Sequence, residues 1–379
     1  MSAPDAQVAV IGGGVVGCAV AHALARRGVK SLVLEAEQGL ALAASGTNSG
    51  ILHTGFDSQP GALETRLILR SAALREQLLA DLAVPVLRCG ARLTPRDDEQ
   101  RAAVERLAEN AQRNGVTVAS EQDGSLVVPG EAVTDPVAFV HALAGAARSG
   151  GAAFQLNAPV VGLAGAGDGG ISVELLGGET RRVRAVVNCA GLHADDVAQM
   201  VGEQPAKIYP RKGEFLVFMP AEPLHEILLP VPSALGKGVL VFPTIDGLLI
   251  AGPTARERED KRDWSVEADA VALIREHAQR MYPALARAEQ IGSYAGLRTA
   301  GRAANYVIEP SRALPGLIHV AAIRSTGLSA SLGIGEYVAG MLAEHAGIEL
   351  GSERRLEAAP IQRSGHWWTR AERYHAAAR

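Results

Sequence analysis

Apolar and polar positions along the chain fall into two textures. Residues 7–11 form a short, continuous apolar run, the pattern of a strand covered on both faces, and a turn holding Gly12, Gly13, Gly14 and Gly17 follows at once. A helical run over 18–27 stops at Gly28, and a second apolar strand over 31–34 ends on Glu35. Residues 60–82 place Leu63, Leu67, Leu74 and Leu78 on one helical face, with Arg66 and Arg70 read as solvated. From residue 88 the pattern shortens to strands at 88–94 and 125–128 around a charged helix at about 97–114. Asp135-Pro136 opens a further helix, with an N-cap and a proline at the first position, that stops at Gly150-Gly151. Strands at 158–163 and 184–191 restore the first texture. His193 then reads as a helix-start residue.

Past Pro205 the apolar segments 213–219, 238–242 and 247–251 are split by Pro and Gly. They are too closely spaced for strand–helix–strand units, which predicts an antiparallel sheet. A last apolar strand at 316–323 turns through 324–329 into a helix ending near Ala346. The class expected is α/β: a Rossmann-like domain interleaved with an α+β substrate domain built on an antiparallel sheet.

The opening stretch carries the first chemistry. Strand, Gly12-x-Gly14-x-Val16-Gly17, helix, strand and terminal acid together form a dinucleotide-binding fingerprint in its full context. Gly12 permits the tight turn, Gly14 lets backbone approach a pyrophosphate, and Gly17 lets helix and sheet pack closely. Phosphates are expected on the helix N-terminus, and Glu35 on the adenosine ribose. Residues alone leave FAD and NAD both open.

Composition narrows the partners. The 379 residues are 47% hydrophobic and 21% charged, a globular balance, and the net charge of −4 offers no basic field for nucleic acid. No apolar run has the length of a membrane span. The three cysteines, Cys18, Cys89 and Cys189, are far apart, so iron–sulfur and structural zinc sites are not expected. With only a few residues ahead of the first strand, no secretory signal is expected. The expected location is cytoplasmic, with peripheral contact with a membrane left open.

Two later segments bear on the reaction. Ser45-Gly46-Thr47-Asn48-Ser49-Gly50, followed by His53-Thr54-Gly55, gathers small and hydroxylic residues where backbone can approach a ligand closely. Tyr294-Ala-Gly-Leu-Arg298 sets an arginine on an otherwise apolar strand. Such a guanidinium can grip a carboxylate or phosphate through two parallel hydrogen bonds; an internal salt bridge is the competing reading.

These segments, with Gly12–Gly17 and Gly327-Leu328-Ser329-Ala330-Ser331, resemble the D-amino-acid-oxidase-like FAD oxidoreductases over roughly residues 7–346. The similarity is strongest to the branch of L-2-hydroxyglutarate oxidases and FAD-linked glycerol-3-phosphate dehydrogenases. The resemblance implies non-covalent FAD and hydride transfer from a CH–OH carbon, less favoured CH–NH, to flavin N5. It places Ser45, Thr47, Asn48, Ser49 and Gly50 along the cofactor, Val160 against the adenine and Gly191 beside the cofactor. Thr326, Gly327, Leu328 and Ser329 fall at the flavin's pyrimidine edge. By the same resemblance His53 takes the hydroxyl proton and Arg298 anchors the substrate anion. Phe56-Asp57 departs from the pattern, so the substrate stays open among a 2-hydroxy acid, glycerol 3-phosphate, and an amino acid or sugar derivative. An electron-relay subunit without its own small substrate is the rival. Oxygen or a quinone is the expected acceptor.

The interleaving is expected to divide the chain into an FAD-binding domain (1–86, 130–205 and 306–350), a substrate domain (87–129 and 206–305) and a tail (351–379). The tail, with His366, Trp367 and Trp368, falls outside the resemblance; it is expected to pack on its own domain or on a partner, including a second copy of the chain.

Overall fold

The computed structural model describes residues 6–167, 169–232, 238–358 and 365–369. Its first layer is a six-stranded sheet. In spatial order the strands are Val307–Pro310, Leu317–Ala321, Ala185–Asn188, Val8–Ile11, Ser31–Leu34 and Ala153–Gln155. All neighbours are parallel except the first pair. Val8, Ala9, Val10, Val186 and Val187 have no exposed surface, as two-sided burial of a parallel sheet requires.

Helices cover one face of this sheet. The first helix, Val15–Arg26, lies between Pro136–Ser149 and the last helix, Gly327–Ala346, which also packs on Leu63–Asp81. Small residues permit this: a Cβ on Gly335 would lie 2.6 Å from the Ala19 carbonyl oxygen, and one on Gly333 2.3 Å from that of Leu67. A three-stranded antiparallel sheet, Val160–Gly165, Ile171–Leu175 and Thr180–Val183, lies over the opposite face. Its Leu163, Ile171 and Val173 share a core with Ala9, Ile11 and Val186.

The second layer is a nine-stranded sheet. Its spine runs Arg256–Glu257, Ile208–Met219, Leu249–Gly252, Leu240–Pro243, Ile227–Leu229, Ala91–Leu93, Leu126–Val128 and Ala119–Ser120, and Glu289–Gly301 pairs with Ile208–Met219. The sheet is antiparallel as expected save for one pair, Ile227–Leu229 with Ala91–Leu93, where two separate stretches of chain meet. Helix Ala268–Met281 covers one face through Ile274 and Ala278. Phe215, Val217, Ile250, Phe242 and Tyr294 on the other face belong to the same core as the first helix.

Local signals hold with small shifts. The Asp135 carboxylate accepts from the amides of Val137 and Ala138, both at 2.9 Å, capping the helix it was expected to open. The expected strand at 88–94 is broken by Gly90 (φ +67°) into Val86–Leu87 and Ala91–Leu93. The expected strand at 213–219 begins at Ile208. In the tail, Trp367 and Trp368 are buried on the nine-stranded sheet, Trp367 edge-on to Tyr294 at 5.4 Å between centroids. Residues 359–364 and 370–379 of the tail lie outside the described residues.

Candidate functional site

The glycine turn is built as its spacing demands. Gly12 has φ +107°, and a Cβ there would lie 2.4 Å from the Cys189 carbonyl oxygen. A Cβ on Gly17 would lie 2.0 Å from the Gly12 carbonyl oxygen, so the first helix can seat on its strand only with glycine at that position. That helix starts at Val15, with Gly14 as N-cap, no side-chain cap and no acid in its first turn. No acid of the helix itself occupies its amide end, which favours an anion there, with Val16 in the first turn.

Glu35 is folded back onto the turn. Its Oε2 accepts from the Gly13 amide at 2.6 Å and its Oε1 from the Glu37 amide at 2.9 Å. Burial pushes its carboxyl pKa up, and these amides draw it back. Ala158 donates its amide to the Glu35 carbonyl at 2.9 Å, which brings the chain leading to Val160 beside the turn. Val160 is half-buried against the core shared by the two sheets.

The loop after this unit closes over the helix end. Ser45 Oγ accepts from the Val15 amide at 2.9 Å, and Gly14 leaves room for it, since a Cβ there would lie 3.1 Å from that oxygen. Thr47 is buried and donates to the Ala43 carbonyl. Asn48 caps the Gly50 amide at 2.9 Å and reaches the Ser325 carbonyl at 3.4 Å. Ser49 Oγ accepts from the Ile51 amide. Gly50 (φ +79°) passes so close to Thr134 that a Cβ would lie 2.3 Å from its carbonyl oxygen. Gly191 (φ +57°) begins the 3-10 turn Gly191–His193, whose His193 pairs with Asp196.

The last helix begins at Gly327 beside this loop. Thr326 donates to Glu64 at 2.6 Å and lies 2.9 Å from the Tyr306 hydroxyl. Leu328 is buried. Ser329 turns inward, accepting from the His53 amide at 2.8 Å and donating to the Ile51 carbonyl. Its hydroxyl thus fixes the backbone of the candidate base.

His53 has a partner that the sequence did not reveal. Ile51–Leu52 pairs with Ala132–Thr134 in register Leu52↔Ala132, and the next step sets His53 across from Glu131. Glu131 has no exposed surface; its Oε2 lies 2.8 Å from His53 Nδ1, and its Oε1 accepts from the Thr54 amide at 2.6 Å and hydroxyl at 2.9 Å. As a carboxylate Glu131 can only accept, which calls for the imidazole tautomer with its proton on Nδ1. Arg75, buried nearby, donates to the His53 carbonyl at 3.1 Å. The turn after Gly55 is pinned by Asn110 and Asn114, whose amides reach the carbonyls of Gly55, Phe56 and Ser58. Asp57 is half-buried within it.

Arg298 lies on the face of the nine-stranded sheet that meets the flavin-loop candidate. Gly296, two residues earlier on that face, packs against Thr47, where a Cβ would lie 2.9 Å from the Thr47 carbonyl oxygen. The guanidinium crosses Gly213 and donates from Nε to the Arg211 carbonyl at 3.0 Å, and from Nη2 to those of Lys212 and Thr254 at 3.2 and 2.7 Å. No carboxylate pairs with it among the described residues, which removes the internal salt bridge. The same geometry revises the expected two-point grip: Nε and Nη2 are committed to carbonyls, and Nη1 remains for a ligand. Burial, then the charge of Arg211, pushes its pKa down to about 10, so it is charged at neutral pH. Among the described residues no cluster of metal ligands occurs and no helix is long and apolar enough to cross a membrane.

Known proteins share this architecture. The chain is 31% identical to a glycerol 3-phosphate dehydrogenase of Caloramator mitchellensis, over 88% of this chain and 73% of that one. It is 27% identical to the human mitochondrial L-2-hydroxyglutarate dehydrogenase, over 70% and 65% of the two chains. The dithionite-reduced L-α-glycerophosphate oxidase of Mycoplasma pneumoniae, solved with FAD bound, superposes with a TM-score of 0.82 at 25% identity, covering 94% of this chain and 97% of that one. The pattern of the FAD dependent oxidoreductase family known as DAO matches residues 7–341. With residues 7–341 matched and a relative 31% identical over most of its length, the chain belongs to the DAO family of FAD-dependent oxidoreductases.

Proposed function

We propose that this enzyme oxidises the CH–OH carbon of a small hydroxylated anion, the class that includes glycerol 3-phosphate and 2-hydroxy acids. The observation that carries the reading is Arg298: a buried cation without a carboxylate partner among the described residues, on the sheet face that meets the Ser45–Gly50 loop. A buried charge of this kind is stabilised by a ligand of opposite sign. The names of the relatives support a CH–OH donor.

FAD, when bound, supplies the two-electron acceptor, and the glycine turn, Glu35, Val160 and the 45–50 loop would hold it. It is held without a covalent link in this reading, since no cysteine follows Cys189. His53 accepts the hydroxyl proton at Nε2, while Glu131 keeps the Nδ1 proton in place and stabilises the imidazolium that results. Ser329 and Arg75 fix the His53 backbone from two sides. Arg298 Nη1 binds the anion and sets the carbinol carbon. Oxygen or a quinone would be the final electron acceptor, with the enzyme in the cytoplasm or at a membrane surface.

Anaerobic mixing of the yellow holoenzyme with a panel of hydroxy acids, glycerol 3-phosphate and amino acids tests the reading. Bleaching by at least one hydroxylated anion is expected. Bleaching by amino acids alone, or only in the presence of a partner protein, overturns it.

A further inference from the structure

Directly across from Arg298 in the antiparallel ladder stands Arg211, and the two side chains rise from the same face. That face is identified twice. Phe215 and Tyr294, the opposed pair four residues along, stack at 4.7 Å between ring centroids. Gly296, opposed to Gly213 between them, abuts Thr47. Directly opposed residues have Cβ atoms about 4.5–5.5 Å apart, and like charges there are destabilising.

Nothing in the described residues neutralises the pair. Arg211 is half-buried and its guanidinium takes no hydrogen bond or ion pair there. Arg298 is held only by neutral carbonyls. The acid opposed to Arg211 on the other side, Glu257, is turned to the Tyr209 hydroxyl at 3.1 Å and towards Arg302 at 3.9 Å. Burial, then the charge of Arg211, lowers the Arg298 pKa, and among the described residues no carboxylate hydrogen-bonds either guanidinium.

We propose that Arg211 and Arg298 together form the seat of a phosphomonoester dianion, so that Arg211 is a specificity-determining residue for the reaction proposed above, on which this inference rests. A carboxylate is satisfied by one guanidinium edge. Arg298 offers only Nη1, and a tetrahedral group with three terminal oxygens and nearly two charges uses the donors of both arginines. Their opposed positions on one face put both long side chains within reach of one group, whereas the two ends of a dicarboxylate call for separated cations.

The test uses the holoenzyme and its Arg211→Ala and Arg211→Lys variants, each checked for a normal flavin spectrum. Half-saturation of anaerobic flavin reduction is measured with glycerol 3-phosphate, L-2-hydroxyglutarate and L-lactate, and methyl phosphate and acetate binding by calorimetry. Arg211→Ala is expected to raise half-saturation by glycerol 3-phosphate about 10- to 100-fold, a larger factor than for L-lactate, with a limiting rate within a few-fold; an equal change for both substrates, or none, overturns the proposal. Arg211→Lys should recover part of the loss. Methyl phosphate should bind the wild type more tightly at pH 7.5 than at pH 5.5, since the second phosphate proton leaves near pH 6, and the Ala variant should flatten that dependence. Should the variants lose flavin, wild-type binding decides: acetate bound as tightly as methyl phosphate overturns the proposal. Bleaching by L-2-hydroxyglutarate but not glycerol 3-phosphate also overturns it while leaving the proposed function intact. Failure of every hydroxylated anion removes the proposed function itself.

Discussion

Replacing Glu131 by Gln isolates the role of the buried carboxylate in proton transfer. The change conserves shape, and the new amide oxygen can still accept from Thr54. Its NH2 group then faces His53 Nδ1, where the carboxylate oxygen lay at 2.8 Å. The imidazole answers by moving its proton to Nε2, the nitrogen that must accept one. The loss is one hydrogen bond to a charged group, about 1.5–3 kcal/mol, and at 1.36 kcal/mol per decade the limiting rate falls by about 10- to 150-fold. Arg298 is untouched, so half-saturation should change by less than about threefold. Rapid anaerobic mixing, followed at the oxidised flavin band, separates the two quantities. A limiting rate within twofold of wild type, in a variant with a normal flavin spectrum, would refute the argument that Glu131 sets the His53 tautomer.

Two other expectations follow from close contacts elsewhere. Gly17→Ala sets a methyl group where 2.0 Å separates it from the Gly12 carbonyl oxygen, so the turn must open; the strain is about 1–3 kcal/mol and should appear as weakened FAD retention on gel filtration with the fold preserved by circular dichroism. Glu203 is pulled down to about 2: burial opposes its charge, but bonds from Ser311, His319 and the amides of Ala313 and Arg312 outweigh it. A depressed carboxyl stabilises fully above its ordinary value of 4.5 and loses that stabilisation as pH falls towards 2, so Glu203→Gln should flatten the acid limb of thermal midpoint against pH in that window.

The parts legible in the sequence are those whose cause is local. The glycine turn, the Asp135 cap and the apolar strands declare themselves within a few residues, and the structure differs mainly in where strands begin. Glu131 was not legible because it sits in a Val-Pro-Gly-Glu turn, 78 residues from His53, and only the pairing of two very short strands brings them together. Arg211 was hidden differently. Pro210 reads as a break, so the strand was expected to start at Gly213, whereas the ladder with Glu289–Gly301 runs back through Arg211 to Ile208. The two-point grip foreseen for Arg298 is revised because the carbonyls around its guanidinium come from two distant segments, at 211–212 and at Thr254. The tail's tryptophans carried no local signal for the surface they cover, since Tyr294 and Gly292 lie far away in sequence.

The interleaved sheet bears on how the protein is made. Its first strand, Val8–Ile11, is flanked by Ala185–Asn188, and that strand by Leu317–Ala321, so neighbours in space are synthesised far apart in time. At about 5–20 residues per second, the glycine turn waits roughly tens of seconds for helix Gly327–Ala346 to leave the ribosome. Until then the parallel strands have open edges, and open edges invite pairing with other chains. A message truncated before that helix yields no half-enzyme: it yields a fragment that exposes the surface of helix Val15–Arg26 that the last helix would cover. Chaperone demand and the cellular supply of FAD should therefore matter most once helix Gly327–Ala346 has emerged and locks against the first.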